Sequence, residues 1–144
     1  MAIRDVLAAW KEGEVKMPER SLEDDWYPIR MLDNRVQQGE PLVLTEEIRT
    51  LLRRTAPTVA IGEAEAEAAL ATTESASALL HEIRRRITEG SRRLSRALHQ
   101  MYSLRDARDL DGARQQLRDL LAVEVVPHYR DIAEGQLERL GGGE

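Results

Sequence analysis

The sequence predicts an all-α fold, built as a long antiparallel helical hairpin with short N-terminal helices packed on it. Alanine, leucine, glutamate, arginine and glutamine dominate the chain, and all of them are good helix formers. Aromatic residues make up only 3% of the sequence and phenylalanine is absent, so residues that favour strands are scarce. The strongest signal is an apolar repeat with helical spacing over residues 73–108.

Length and composition indicate one globular domain with a hydrophobic core. The chain has 144 residues, of which 42% are hydrophobic and 33% charged, and its net charge is −5. No stretch approaches the roughly 18 apolar residues of a membrane-spanning helix, and the N-terminus lacks the apolar segment of a secretory signal. Cysteine is absent, which excludes disulfides and thiolate chemistry. We therefore expect a cytoplasmic protein that does not bind membranes.

The domain boundaries follow a change in character near Ser21. We predict an N-terminal amphipathic appendage at residues 1–22, a single helical domain at residues 23–140 and a disordered tail at residues 141–144. A short apolar face is too small to hold the appendage helical by itself, so it must dock on this chain or on another protein. The sequence leaves these two options open. The predicted docking face consists of Ile3, Val6, Leu7 and Trp10.

Short helices are expected in the N-terminal half. Pro28 suits the first turn of a helix, which we expect to stop at Gly39. Thr45 is expected to cap the next helix, which Pro57 breaks. A third short helix, rich in glutamate and alanine, is predicted at residues 63–71.

The long helix is predicted at residues 73–108, with Thr72 or Thr73 as its N-cap. Its apolar positions alternate steps of three and four, which places them on one seam that can face a partner helix. Gly90 lies on this seam, where it can kink the helix or admit the close approach of another one. The predicted seam consists of Leu80, Ile83, Ile87, Leu94, Ala97, Met101 and Leu104.

The second arm of the hairpin follows a tight connection at residues 109–112, with Asp111 predicted as the N-cap. Its buried positions are expected to include Val125 and Tyr129. Pro127 falls inside this pattern, so a kink or short break is expected there.

Catalytic and metal-binding patterns are weak. Glu124 and His128 have the i,i+4 spacing that can chelate a metal, but a second Glu-x-x-His unit is missing. The chain has no nucleophile elbow, no phosphate-binding glycine loop and no His-Glu-x-x-His motif. We therefore expect no catalytic residues, no metal and no cofactor, and predict that the protein is not an enzyme.

Arginines form a basic stripe on the long helix. A docking strip for nucleic acid or for an acidic partner is one interpretation. The other is a solvated face, or pairing within the chain with the acidic segment at residues 63–67. The net charge of −5 and the lack of a DNA-binding motif favour the second interpretation. The stripe consists of Arg85, Arg86, Arg92, Arg93 and Arg96.

Several segments carry a resemblance to a known family. They are Trp-Tyr-Pro-Ile-Arg at residues 26–30, continuing to residue 42, Arg-Ile-Thr-Glu-Gly-Ser at residues 86–91, residues 109–114 and residues 122–129. In these segments the chain resembles DUSAM-domain proteins, a myxobacterial paralogous family of unknown function. The resemblance begins near Asp24 and implies a bacterial cytoplasmic protein. It brings no catalytic residues.

The function that the sequence favours is a non-enzymatic protein–protein interaction or scaffolding module. Self-association is expected because the seam can face a second protomer as readily as its own hairpin partner. The first alternative is a nucleic-acid-associated protein that uses the basic stripe, and the second is a metal- or ligand-binding helical bundle. We expect a homo-oligomer or a protein partner, and no nucleic acid.

Overall fold

The computed structural model describes residues 22–141, and this part of the chain is helical and contains no strands. The predicted all-α fold, with a long hairpin and short N-terminal helices, is confirmed. The predicted docking face of the appendage and residues 142–144 of the predicted tail lie outside the described residues. The elements are α1 (Leu22–Gln37), α2 (Glu46–Thr55), the 3-10 helix η1 (Ala56–Val59), α3 (Glu63–Ala69), α4 (Thr73–Asp106), α5 (Leu110–Val123) and α6 (Pro127–Arg139).

The 34-residue helix α4 is the longest element and spans about 50 Å at roughly 1.5 Å per residue. It begins with a capping box, in which the Thr72 hydroxyl accepts a hydrogen bond of 3.1 Å from the Ser75 backbone N–H. Despite its length, α4 is not apolar enough to cross a membrane, and neither is any other described helix.

Helices α5 and α6 pack on the C-terminal part of α4 as a three-helix bundle. The chain reverses after α4, so that α5 runs antiparallel to it, and it reverses again before α6. Arg114 in α5 accordingly donates a hydrogen bond of 2.8 Å to the carbonyl of Leu140, just beyond the end of α6. Met101, Leu117 and Ala133 are fully buried among the three helices.

The N-terminal helices cover the other end of α4. Helix α1 runs antiparallel to α4. Gln37 at the end of α1 lies 3.3 Å from His81 near the start of α4, whereas Arg84, further along α4, donates to the carbonyl of Arg30, earlier in α1, at 3.2 Å. Thr45 caps α2 as predicted, accepting a hydrogen bond of 3.2 Å from the Ile48 backbone N–H. The N-terminal helices and the bundle therefore share α4 as their common support.

The predicted role of Pro28 is wrong. Helix α1 already begins at Leu22, so Pro28 lies inside it and not in its first turn. Its missing N–H removes one helical hydrogen bond, whereas the neighbouring Trp26 and Ile29 are both buried in the core. Core packing on both sides of the proline therefore keeps this segment helical.

Two details of the second arm also differ from the prediction. Asp109, and not Asp111, caps α5, and its carboxylate accepts a hydrogen bond of 2.9 Å from Gly112. The break expected at Pro127 is present, because α5 ends at Val123 and α6 begins at Pro127. The extended residues between the helices change the helical register, so that Val125 is exposed instead of buried and Val126 enters the core.

Candidate functional site at the crossing of three helices

The start of α6 crosses α4 at Gly90. A Cβ atom at this position would lie 2.6 Å from Cδ2 of Tyr129 and 2.9 Å from Oε2 of Glu124, which is closer than real contacts allow. The Tyr129 hydroxyl donates a hydrogen bond of 2.9 Å to the Ile87 carbonyl. Burial raises the pKa of Tyr129, so the hydroxyl keeps its proton for this bond. Of the two roles expected for Gly90, the structure shows the close approach of another helix.

Glu124 is a buried carboxylate that closes the break between α5 and α6. It is 3% exposed, and its Oε1 accepts a hydrogen bond of 2.7 Å from Arg93. Its Oε2 accepts hydrogen bonds from the backbone N–H groups of Val125 and Val126, at 3.1 and 3.0 Å. One carboxylate thus satisfies two backbone donors and balances one guanidinium.

Glu124 and His128, which have the spacing of a chelating pair, lie in two different environments. Glu124 points to Arg93, whereas the exposed His128 packs edge-on against Trp26 with 6.0 Å between the ring centroids. Within residues 22–141, no three histidine, aspartate or glutamate side chains come together in a way that could hold a metal ion.

The predicted seam of α4 lies against the core of this same chain. Five of its seven positions are buried, and Ala97 and Leu104 are half-buried and packed on the core. The buried members are Leu80, Ile83, Ile87, Leu94 and Met101. The seam is therefore occupied by the chain's own helices and is not an open surface.

Most of the basic stripe is neutralised within the chain. Arg85 bonds Glu82 and Glu89, each at 2.9 Å. Arg86 bonds Glu82 at 2.7 Å and donates to the Val59 carbonyl at 3.0 Å. The hydrogen bonds from Arg85, together with those from Arg86, lower the pKa of Glu82 to about 2. These side chains form a charge network along α4.

The acidic partners differ from those expected. The segment at residues 63–67 does not supply them, because its Glu67 pairs with Arg53 on α2 at 2.6 Å. Within residues 22–141, Arg92 and Arg96 form no ion pair. Within the described part of the chain, the stripe thus divides into three arginines that form ion pairs and two, Arg92 and Arg96, that form none.

A cleft opens on one flank of α4, between α1 and the start of α6. Trp26 and Tyr129 line it with the edges of largely buried rings, with 5.6 Å between the ring centroids. Arg30, Arg92 and His128 line its walls, and its volume is about 380 Å³. We call this feature the aromatic cleft.

A groove runs along the other flank of α4, beside the end of α5 and the connector to α6. Val123 and Val125, 60% and 45% exposed, lie next to Arg93 and Arg96 in this groove. Two shallow depressions of about 260 and 160 Å³ meet at Arg93 and Val123. We call this feature the arginine–valine groove.

The residues of the aromatic cleft form no recognisable site in the sequence. The available signal was their place in the segments that resemble a known family. Residues 26–30 supply Trp26 and Arg30, and residues 86–91 supply the helix face beneath the crossing. Residues 122–129 supply His128 and Tyr129. Segments that lie far apart in the sequence therefore meet at one crossing.

Comparison with known proteins identifies a family. No curated protein and no solved structure matches the sequence. Residues 24–140 match a family that is described as "Protein of unknown function (DUF2379)". This match is consistent with the resemblance to a family of unknown function, and it covers most of the chain. The chain belongs to this family of proteins of unknown function.

Proposed function

We propose that this protein is a non-enzymatic interaction module that binds a protein segment with apolar and acidic side chains in the arginine–valine groove. The observation that carries the proposal is the exposure of Val123 and Val125 on either side of the buried Glu124. Adjacent apolar side chains rimmed by charged ones are typical of protein-binding surfaces. The occupant must therefore offer methyl groups to the valines and carboxylates to the arginines.

The charges of the groove support an acidic partner. Arg96 forms no ion pair within residues 22–141, so a partner carboxylate can reach it without breaking an internal ion pair. A guanidinium binds a carboxylate through two parallel hydrogen bonds. Four arginines and three carboxylates line the two depressions, the carboxylates being Glu89, Asp119 and Glu124. The groove therefore keeps a small excess of positive charge.

The groove is a better docking surface than the seam of α4. Residues such as Leu94 and Met101 are buried within the chain, so a second protomer reaches them only if the core opens. The proposal accordingly places the partner on Val123 and Arg96. A second copy of this chain is one partner that light scattering can reveal.

Nucleic acid is the less favoured partner. Arg85, Arg86 and Arg93 already bond carboxylates of this chain, and the net charge is −5. Phosphate contacts need several free cations, because each contact gains its affinity from counterion release. A protein segment that carries a carboxylate can bind through the arginines of the arginine–valine groove alone.

A matched pair of valine substitutions tests the proposal. The immobilised full chain and its Val123→Asp and Val43→Asp variants are used to capture proteins from the native host. Val43 is 65% exposed and lies between α1 and α2, away from the groove, so Val43→Asp introduces the same charge elsewhere. Each captured protein is then purified, and its affinity for the three chains is measured by calorimetry. Light scattering of the three chains shows whether the partner is a second copy.

We expect at least one protein, or self-association, that the wild type and Val43→Asp share and that Val123→Asp loses. The introduced carboxylate removes an apolar contact and repels the acidic side chains of the partner. Equal affinity of Val123→Asp and the wild type for every partner would contradict the proposal.

A further inference from the structure

We infer that the aromatic cleft binds a small planar aromatic anion, meaning a ring that carries a carboxylate or a phosphate group. This site is distinct from the arginine–valine groove and goes beyond the proposed function. The cleft lies between α1, α4 and the start of α6, and its volume of about 380 Å³ falls within the usual range for small-ligand sites.

The walls of the cleft carry an excess of positive charge. Arg92 forms no ion pair within residues 22–141, and Arg30 pairs only with Glu23 at the rim. The Glu23 side chain is largely exposed, so this ion pair is weak and exchanges readily with another anion. Two guanidiniums thus face the cleft against one carboxylate. Guanidinium geometry suits both carboxylate and phosphate oxygens.

Two aromatic rings that line the cleft are held in place by hydrogen bonds. The Trp26 indole N–H donates a hydrogen bond of 2.9 Å to Thr58, which fixes the ring. The Tyr129 ring is held by its hydroxyl bond to Ile87 and by its contact with Gly90. Both side chains are largely buried, so they offer ring edges to the cleft, and such edges can contact the face of a planar ring without losing rotamer freedom. Ring edges and guanidiniums in one lining together match an aromatic anion.

The Ser91 hydroxyl and the exposed His128 ring complete the polar part of the walls. The His128 ring can donate a hydrogen bond to an anionic oxygen, whereas the Ser91 hydroxyl already bonds Tyr129. The charged side chains and the apolar Ile87 and ring edges line the same cleft. A ligand with separate apolar and anionic ends matches this combination.

The test uses the indole N–H resonances of the ¹⁵N-labelled full chain. Trp10 and Trp26 are the two tryptophans, so a Trp10→Phe variant assigns the Trp26 signal. The chain is titrated with benzoate and with phenyl phosphate. Benzamide, which keeps the ring without the charge, and inorganic phosphate, which keeps the charge without the ring, are the matched controls.

We expect a saturable shift of the Trp26 signal with benzoate or phenyl phosphate, with Kd on the order of a millimolar for so small a probe. The aromatic anion that binds more tightly identifies the carboxylate or the phosphate as the preferred group. Benzamide and inorganic phosphate are expected to bind at least about tenfold more weakly, because each lacks one half of the recognised chemistry.

Two arginine variants locate the binding. Arg92→Gln should weaken it by about tenfold, the loss of one charge-assisted contact. Arg96→Gln, one helical turn further along α4 and in the arginine–valine groove, should leave it unchanged. Arg96→Gln should instead lower the affinity for the partner proposed for the arginine–valine groove. Failure of one proposal can therefore be told apart from failure of the other. The inference is overturned if neither aromatic anion shifts Trp26, if benzamide binds as well as benzoate, or if both arginine variants weaken binding equally.

Discussion

The guanidinium of Arg93 donates a hydrogen bond of 2.7 Å to the buried carboxylate of Glu124, 31 residues further along the chain. This ion pair connects the basic face of α4 to the break between α5 and α6. An arginine in the middle of a basic stripe is thereby a structural contact. The Glu124 carboxylate also accepts hydrogen bonds from the backbone N–H groups of Val125 and Val126, the two residues before Pro127.

Substitution of Glu124 should destabilise the fold, and the loss should be larger for alanine than for glutamine. Glu124→Gln should lower the free energy of unfolding by about 1–3 kcal/mol, because Arg93 loses its carboxylate but is itself partly exposed to water. Glu124→Ala should cost more, because the N–H groups of Val125 and Val126 also lose their acceptor. Urea unfolding measures both, and Glu134→Gln on the exposed face of α6 is the control. Equal stability of Glu124→Gln and the wild type would show that the ion pair contributes nothing.

Binding of nucleic acid should be undetectable at micromolar concentration and physiological salt. The reason is that much of the basic stripe is occupied by carboxylates of the same chain. Fluorescence anisotropy with labelled duplex DNA and RNA tests this at several salt concentrations. Micromolar, salt-sensitive binding that disappears when Arg85, Arg92 and Arg96 are replaced by glutamine would favour the nucleic-acid alternative.

The charge network around Glu82 should make stability depend on pH. The pKa of Glu82 is lowered from 4.5 to about 2, so its contribution is complete above its unfolded pKa and is lost as the pH falls from about 4.5 towards about 2. Glu82→Gln should lower the melting temperature modestly at neutral pH, because the ion pairs are only partly shielded from water. The difference from the wild type should shrink over that acid range. Glu65→Gln, at an exposed residue of α3, serves as the control, and a difference that stays constant with pH would exclude this role for Glu82.

Leu94 provides a test of the hydrophobic core along α4. Leu94→Ala should lower the free energy of unfolding by about 2–5 kcal/mol, because it removes a buried side chain and leaves a cavity. Leu110→Ala makes the same chemical change at a residue that is 43% exposed, and should cost much less. Thermal or urea unfolding compares the two variants. Similar losses at both positions would mean that Leu94 does not contribute a buried contact.

The fold class and the long helix could be predicted because their signals are local. Thr72 and Thr45 cap their helices through side-chain bonds to residues three positions away. The apolar spacing of α4 predicted a helix over residues 73–108, and the structure has it at Thr73–Asp106. The difference at the end arises where Arg108 adopts a positive φ of 66°. The spacing of apolar residues does not indicate where the backbone adopts such a left-handed conformation.

The crossing and the cleft could not be predicted because they depend on distant residues. Gly90 was compatible with a kink or with close approach, and only the return of Tyr129 decides between them. Glu124, the partner of Arg93, likewise lies outside α4. The acidic segment that is closer to Arg93 in the sequence supplies Glu67, which pairs with Arg53 instead. Val126 is buried and Val125 is exposed. Which of the two valines faces the core depends on the number of extended residues between the end of α5 and Pro127. Sequence periodicity does not report these long-range choices.

The central claim of this account is that α6 crosses α4 in contact at Gly90, since this crossing buries Glu124 and separates the cleft from the groove. Replacement of a glycine inside a helix by alanine normally stabilises it by up to about 1 kcal/mol. Gly135 lies within α6 and a Cβ atom there meets nothing within 4 Å, so Gly135→Ala should show this ordinary gain.

Gly90→Ala should do the opposite. The added methyl group meets the Tyr129 ring and the Glu124 carboxylate, so the crossing must shift, at a cost of about 1–3 kcal/mol. The most direct measurement is the free energy of urea unfolding for these two glycine variants beside the wild type. The account predicts a gain for Gly135→Ala and a loss for Gly90→Ala. Stabilisation of both variants would contradict the crossing.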